Sequence, residues 1–514
     1  MKRREFLYAA SAVTALNLAR SARAADVAPE AQIRQGRLEG LEEDGVLKFL
    51  GVPFARPPVA ALRWAPPQPM PAWPGVRPAK EFGPAAMQVA GKVPPPSYRT
   101  PAMSEDCLYL NVWTTSLSKA ARQPVMVWIH GGGNLGGSAS EAFTDGSNLA
   151  KSGVTVVAAN YRVGSFGFLN HPALGTNFGI LDQIAALRWV QDNIEAFGGD
   201  PRRVLVFGYS AGAVDIRALL QSPMAKGLFS RCVLQSGGGE DPAATQISNA
   251  DRSRTTTDKL FQALGTQDID ALRAIPAEKV AATAFPLSGV VIAGPRTPYD
   301  LVWMPIPDGK VIIENRFPAW TPGLPVVYSS CQNEARYFLD PAKPFTSEDV
   351  QAMARKLTGG KADEVLAILE AEGGSPLQQL DHLFTAIVWW ESQYASLQRF
   401  SQQGRRVSYY RFSRLAPGAA KSNRLVFHGS DVYYVFGNLI DREYDEDDRR
   451  ISRELQRVYV EFARTGVLKG PDDHVWPAFR GPEPQATIVG NQISFGPYPM
   501  DSITRVMYPL RSRG

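Results

Sequence analysis

The sequence predicts an α/β protein whose centre is an open, mostly parallel sheet flanked by helices, with large helical insertions in its C-terminal half. Three observations carry this. Continuous apolar runs, Val125-Met126-Val127-Trp128-Ile129 and Val154 to Ala159, read as strands buried on both faces, as parallel strands are. Between such runs the spacing becomes helical, as in Leu181, Ile184, Leu187, Val190 and Ile194. A further run, Arg203-Val204-Leu205-Val206-Phe207, passes through Gly208-Tyr209-Ser210-Ala211-Gly212 into a helical stretch from Ala213 to Gln221. Strand alternating with helix is the pattern that covers a parallel sheet on both faces.

In chain order, the first residues read as an address. Lys2-Arg3-Arg4-Glu5-Phe6-Leu7 resembles a twin-arginine export motif, followed by an apolar run from Leu7 to Leu18 and a small-x-small site, Ala22-Arg23-Ala24. The run falls short of the ~20 residues a spanning helix needs. Residues 1–24 are therefore expected to be a cleaved signal peptide and 25–514 a single domain without stable membrane insertion. The expected location is periplasmic or secreted, reached by the twin-arginine route. Most of the net charge of +5 belongs to that segment, which carries +4 and leaves 5 − 4 = +1 for the remainder. No Lys/Arg stripe is left to bind nucleic acid. Three cysteines, Cys107, Cys232 and Cys331, cannot all pair and match no metal spacing.

Farther along, Phe49 to Pro53 reads as a strand, and Ser104 to Trp113 as a strand preceded by a polar turn. His130-Gly131-Gly132-Gly133 follows the strand 125–129 at once. Beyond Gly239 the helical segments Lys361 to Ala371 and Pro376 to Phe400 lie between the short strands Pro325 to Tyr328 and Val407 to Phe412. The acids of Asp441 to Arg450 precede an amphipathic stretch, Ile451 to Thr465, and read as a solvated helix start favoured by the dipole.

The chemistry concentrates at Ser210. Strand, sharp turn and helix around Gly-x-Ser-x-Gly hold a serine in a strained conformation that lifts its hydroxyl clear of the sheet. Gly208 and Gly212 flank it because strand and helix pass too close for side chains. The backbone N–H of Ala211 then points to where a negative oxygen would form.

Several further segments keep the order and spacing of one known family. They are Ser104-Glu105-Asp106-Cys107-Leu108-Tyr109-Leu110-Asn111, the glycine loop, Asn160-Tyr161-Arg162, Gly179 to Gln183, Phe197 to Pro201, the serine turn and Gln235-Ser236-Gly237. The chain resembles the type-B carboxylesterases, large α/β-hydrolases that include carboxylesterases, cholinesterases and some lipases. The resemblance is dense from Phe49 to Gly239 and returns near Glu334, at His428 to Asn438 and at Glu461 to Gly466. It implies an α/β-hydrolase fold and a serine esterase acting on a small-molecule ester, with no cofactor or metal. Oligomeric state is left open.

The resemblance also assigns roles. His428, in Phe427-His428-Gly429-Ser430-Asp431, stands in the family's late His-Gly loop and is the implied general base. Of the other histidines, His130 would brace the glycine loop, His171 and His474 would be surface residues and His382 a packed one. Glu334 is the implied acid, although Asn333-Glu334-Ala335 stands where the family commonly has Asp-Glu-Gly. Asp340 is the alternative, and Asp431 lies too close in sequence to His428. Gly132, Gly133 and Ala211 would supply the oxyanion hole. Ala86 stands where a cysteine would pair with Cys107, so that bridge is expected to be missing, and Arg63 and Glu105 are the implied structural ion pair. Tyr209 replaces the family's glutamate before the nucleophile, which predicts a preference for neutral over cationic esters and a ring face toward the alcohol site; the alternative is a ring that merely packs under the turn. Trp303, Phe338, Trp389 and Trp390 are candidate pocket aromatics. A lipase acting on longer-chain esters and a non-catalytic cholinesterase-like binding module are the competing readings.

Overall fold

Among the described residues the apolar runs assemble into one eleven-stranded sheet. The computed structural model describes residues 28–90, 102–240, 250–289, 300–313, 323–440, 443–470 and 473–513; the expected signal peptide, 1–24, lies outside them. Numbered along the chain, the strands of this sheet are β1 (Leu41–Glu43), β2 (Val46–Pro53), β3 (Tyr109–Thr114), β4 (Gln123–Ile129), β5 (Thr155–Ala159), β6 (Gly199–Tyr209), β7 (Arg231–Gln235), β8 (Val326–Cys331), β9 (Val407–Phe412), β10 (Gln485–Val489) and β11 (Ile493–Pro497). They lie in the order β11-β10-β9-β8-β7-β6-β4-β5-β3-β2-β1.

Pairing is parallel from β5 across to β10 and antiparallel at both margins. The predicted fold class therefore stands. From β4 the chain goes to β5 on one side and then to β6 on the other. Such a reversal opens a crevice beyond the carboxyl ends of the strands, where ligands of open α/β sheets bind. The residues that follow β4 and β6 are the glycine loop and Ser210.

The strands earn their places by burial. Every residue from Val125 to Ile129 and from Val204 to Phe207 is at most a few per cent exposed. Gly208 pairs with Ile129, so the ends of β6 and β4 are level. Helix α1 (Phe178–Asn193) tightens into a 3-10 turn over Ile194–Phe197, and α2 (Ala211–Gln221) begins directly after Ser210, two residues ahead of its expected start.

The long helical stretch expected over Pro376 to Phe400 is three pieces: α3 (Pro376–Phe384), a π-helical stretch (Thr385–Glu391) and α4 (Ser392–Gln402). The wide turn carries Trp389 and Trp390, and π-helical segments concentrate at functional sites. The acids near 445–448 do cap α5 (Glu446–Thr465), through a capping box between Asp445 and Asp448. They are not all solvated: Asp448 is fully buried and accepts from Arg414 Nε at 2.6 Å and from the Tyr434 hydroxyl at 2.7 Å.

All three cysteines are free and buried, so Cys107 has no bridge to the position of Ala86. Arg63 and Glu105 do pair, Nε to Oε1 at 2.7 Å and Nη2 to Oε2 at 2.5 Å. Arg63 also donates from Nη1 to the carbonyls of Leu272 and Ile275, tying the turn that ends at Arg63 to the helix Ile269–Ala274. Reductant should therefore leave the melting temperature unchanged, and a fall of several degrees would reveal a disulfide. Arg63→Ala should cost roughly 3 kcal/mol in denaturant unfolding, because Glu105 stays largely buried without its partner.

Candidate active site

Ser210 adopts φ 57° and ψ −124°, a region an L-residue enters only when its surroundings force it. Its N–H donates to Gln235 O at 2.9 Å, and its carbonyl accepts from Val214 N at 3.1 Å. The flanking glycines are steric necessities. A Cβ on Gly208 would lie 2.6 Å from Ile129 O, and one on Gly212 would lie 2.2 Å from the same oxygen. The close passage of β6 and α2 across the end of β4 thus fixes where the hydroxyl stands.

Glu334 lies three residues beyond β8. Its Oε1 accepts from Cys331 N at 2.6 Å, and its Oε2 is 2.6 Å from His428 Nδ1. Both residues are buried. A carboxylate on Nδ1 fixes the proton there and leaves Nε2 as the acceptor. That Nε2 is buried and has no partner among the described residues. Gly429, with φ 79°, lets the chain turn directly after His428 into the helix Ser430–Phe436. Four rings wall the imidazole: Phe338 at 5.2 Å, Trp389 at 5.3 Å, Tyr337 at 5.8 Å and Tyr209 at 5.9 Å between centroids.

The alternatives fall elsewhere. Asp340 is exposed and accepts from Ala342 N. Asp431 is buried but serves Gln235, Ser329 and Tyr410. His474 is exposed, whereas His171 is half-buried with its ring 5.3 Å from that of Phe261. His382 is not a packed apolar-face residue: it is ion-paired to Glu372 and Asp501, which raises its pKa. Of the candidate pocket aromatics, Phe338 and Trp389 reach His428, Trp303 is core, and Trp390 faces a different cavity.

The glycine loop is shaped by positive φ at Gly132 (111°) and Gly133 (64°), and a Cβ on Gly132 would lie 2.2 Å from Gly136 O. Neither N–H finds an acceptor among the described residues, and Ala211 opens α2, where N–H groups lack intrahelical partners. His130 braces the loop as expected: Nδ1 donates to Gly131 O at 2.9 Å, and the ring stacks on Tyr161 at 4.3 Å.

A buried polar chain that sequence reasoning missed continues the brace. The Tyr161 hydroxyl bonds to His130 O (2.9 Å) and Asn134 Oδ1 (3.2 Å). Asn134 Nδ2 donates to Asp215 Oδ1 (2.9 Å), and Gln183 Nε2 to Asp215 Oδ2 (2.6 Å). Burial pushes the Asp215 carboxyl up to about 7. The one visible signal was an acid between Val214 and Ile216, on the apolar side of a helix.

Tyr209 takes the alternative role, packing under the turn, and not that of an open ring face. Its ring is 8% exposed, stacked on Trp128 at 5.8 Å and edge-on to Phe143 at 6.3 Å. Gly131 and Gly429 are glycines partly because a Cβ on either would meet that ring, at 2.7 and 3.0 Å. The ring is therefore a packing element, not an open face for a cation. Glu141, whose charge acts on Tyr209, is itself buried, and desolvation pushes its carboxyl up to about 8.

The carboxylesterase family model matches residues 27–496. The chain belongs to the carboxylesterase family. It is 33% identical over 498 residues to the para-nitrobenzyl esterase of Bacillus subtilis (strain 168), covering 93% of this chain and 98% of that one. It is 35% identical over 496 residues to the fumonisin B1 esterase of Sphingopyxis macrogoltabida, covering 90% and 86%. A solved para-nitrobenzyl (PNB) esterase structure superposes with a TM-score of 0.79 at 32% identity, over 93% of this chain and 99% of that one. The α/β-hydrolase fold follows, and this carboxylesterase is a carboxylic ester hydrolase. Among the described residues no helix is long and apolar enough to cross a membrane.

Glu141 gives the site a pH signature. Its folded pKa of about 8 exceeds its ordinary 4.5, so the native state holds the proton longer. Stability from this group is full below about pH 4.5 and declines as pH rises to about 8. Glu141→Gln should flatten that decline, by about 4 kcal/mol at pH 8 if the shift is fully expressed. Denaturant melts from pH 5 to 8.5 check this, and parallel curves for the two proteins would refute it.

Proposed function

We propose that this carboxylesterase cleaves neutral esters by preference, through an acyl-enzyme on Ser210. His428 is the general base, Glu334 the orienting acid, and the N–H groups of Gly132, Gly133 and Ala211 the oxyanion hole. The observation that carries this is the 2.6 Å contact of Glu334 with His428 Nδ1, which leaves a buried Nε2 without a partner. Tyr209, adjacent in sequence to the strained serine, places its own ring against that imidazole.

Ser210 Oγ attacks the ester carbonyl as Nε2 takes its proton, and Glu334 stabilises the resulting imidazolium. The carbonyl oxygen becomes an anion facing the three N–H groups, each worth roughly 3–4 kcal/mol in the transition state. Collapse expels the alcohol, which takes the proton from His428. Water then enters, is deprotonated by the same nitrogen, and releases the acid.

The absence of a carboxylate before Ser210 supports the neutral preference. A unit charge at ~4 Å in a site of dielectric ~20 would give a cation about 4 kcal/mol before desolvation. Tyr209 carries no such charge, and burial keeps Glu141 largely protonated at pH 7. The names of the relatives above are those of ester hydrolases, which supports esters as substrates.

An organophosphonate should label Ser210, found by intact mass and peptide mapping; a label on another serine, or none, sinks the assignment. Ser210→Ala and His428→Ala should each lower kcat by several orders of magnitude, with the double variant little worse. Neutral esters should be cleaved faster than choline esters of the same acyl group. Tyr209→Glu should narrow that ratio and move the acidic limb of kcat/KM upward, because an added carboxylate favours the imidazolium. Tyr209→Gln is the uncharged control for lost packing, and equal behaviour of the two variants would remove the electrostatic account.

The Lys2 to Leu7 motif supports export by the twin-arginine route, with cleavage after Ala24. Arg3→Lys with Arg4→Lys should strand active, uncut enzyme in the cytoplasm. Unchanged periplasmic activity in a bacterial host would contradict that route.

A further inference from the structure

Behind the segment that carries Glu334 lies a second cavity, of about 510 Å³, lined in part by Gln332, Asn333, Gln378, Trp390, Arg411 and Asp501. Its volume is that of a small-molecule site. Arg411 is what sets it apart. The residue is 5% exposed, and its guanidinium carbon lies 3.8 Å over the Trp390 ring. Nε reaches the Tyr409 hydroxyl at 3.2 Å, while Nη2 is buried with no partner among the described residues.

Most of the other buried arginines are better supplied, although Arg336 likewise makes one neutral hydrogen bond, to Asn423 O. Arg63, Arg162 and Arg414 form ion pairs with carboxylates. Arg231 and Arg336 donate to backbone carbonyls. Arg411 has one neutral hydrogen bond and no ion pair among the described residues. A buried guanidinium left so short of acceptors is costly, and an unmet buried donor in a native fold calls for a ligand, ion or water.

Asp501 acts on the Arg411 charge through space, but neither acid at the cavity makes a hydrogen bond to it among the described residues. Asp501 is held by His382 Nε2 at 2.5 Å and Thr504 N at 2.9 Å. Asp381 accepts from Asn333 Nδ2 at 2.9 Å and Thr385 Oγ1 at 3.2 Å, and burial pushes it up to about 6. Further donors do face the space. Gln378 uses its Oε1 on Ser375, which leaves its amide N–H groups available, and the side-chain amide of Gln332 makes no hydrogen bond among the described residues.

We infer that this cavity is a binding site for a small organic carboxylate, with Arg411 as the anchoring cation and the amides of Gln332 and Gln378 as additional donors. The forked guanidinium fits a planar two-oxygen acceptor better than a spherical ion. Carboxylates are also the acids that ester hydrolysis releases. The site is separate from Ser210 and does not depend on the triad assignment. It does share a wall with it: Gln332 and Asn333 lead straight into Glu334, and Trp390 Nε1 donates to Cys331 O at 3.4 Å.

Benzoate is the probe, titrated calorimetrically into the full chain at constant ionic strength, with chloride as the competing anion. One equivalent should bind with a Kd of about 1 mM or tighter. Arg411→Gln should weaken it at least tenfold while leaving turnover of a neutral ester unchanged. Benzoate bound at the Ser210 site would instead survive Arg411→Gln undiminished, and that result overturns the proposal. So does the absence of binding, or displacement by chloride at equal concentration. Should Arg411→Gln fail to fold, the Gln332→Ala/Gln378→Ala variant carries the test: severalfold weaker binding upholds the site, and unchanged binding removes it.

Discussion

The hydrogen bond from His428 Nδ1 to Glu334 Oε2, 2.6 Å long, joins residues 94 positions apart, and much of the C-terminal half is arranged to permit it. Glu334 is delivered by β8 and fixed by the N–H of Cys331, its own strand's last residue. His428 arrives on a loop after β9 and is turned by Gly429 into the next helix. Because β7, β8 and β9 are parallel neighbours, their carboxyl ends emerge on the same side as that of β6. The sheet is thus a positioning device. Four aromatic rings around the imidazole keep water from competing for the same nitrogen and strengthen the electrostatics of the pair.

The other half of the site rests on steric constraint. Ser210 keeps a costly backbone conformation because α2 and β6 are pressed against the end of β4, and only glycine fits at 208 and 212. The glycine loop is held to the same helix through Asn134 and Asp215. The proposed nucleophile and oxyanion donors are therefore referenced to one rigid element, as preorganised catalysis requires. Tyr209 adds packing to this: its ring fills the space between Trp128, the glycine loop and the turn after His428. A residue that departs from the family's glutamate has thereby become part of the scaffold.

Much of this was legible in the sequence for identifiable reasons. Parallel strands are continuous apolar runs, so β4, β5 and β6 stood out, and glycine around a serine announces a sterically crowded turn. The family resemblance added what patterns cannot, the partnership of Glu334 with His428 across the chain. What stayed hidden depends on tertiary contacts. Asp448 looked like a solvated helix start, yet Arg414 and Tyr434 draw it inside. His382 looked like an apolar-face residue and is an ion-pair hub. Asn134 and Arg411 carry no local pattern at all, and Asp215 only that of an acid on the apolar side of a helix; their meaning comes from what the fold places, or fails to place, beside them.

The assignment of Glu334 is the point at which the site account is most exposed, and one comparison tests it. Steady-state kcat/KM on a neutral ester would be measured for Glu334→Gln and for Asp340→Asn. With Glu334 holding the imidazole in its working tautomer, Glu334→Gln should lose roughly 10³–10⁴-fold while folding normally, and Asp340→Asn should match the parent enzyme. Parent-like activity in Glu334→Gln, or a comparable loss in Asp340→Asn, would contradict the Ser210–His428–Glu334 arrangement.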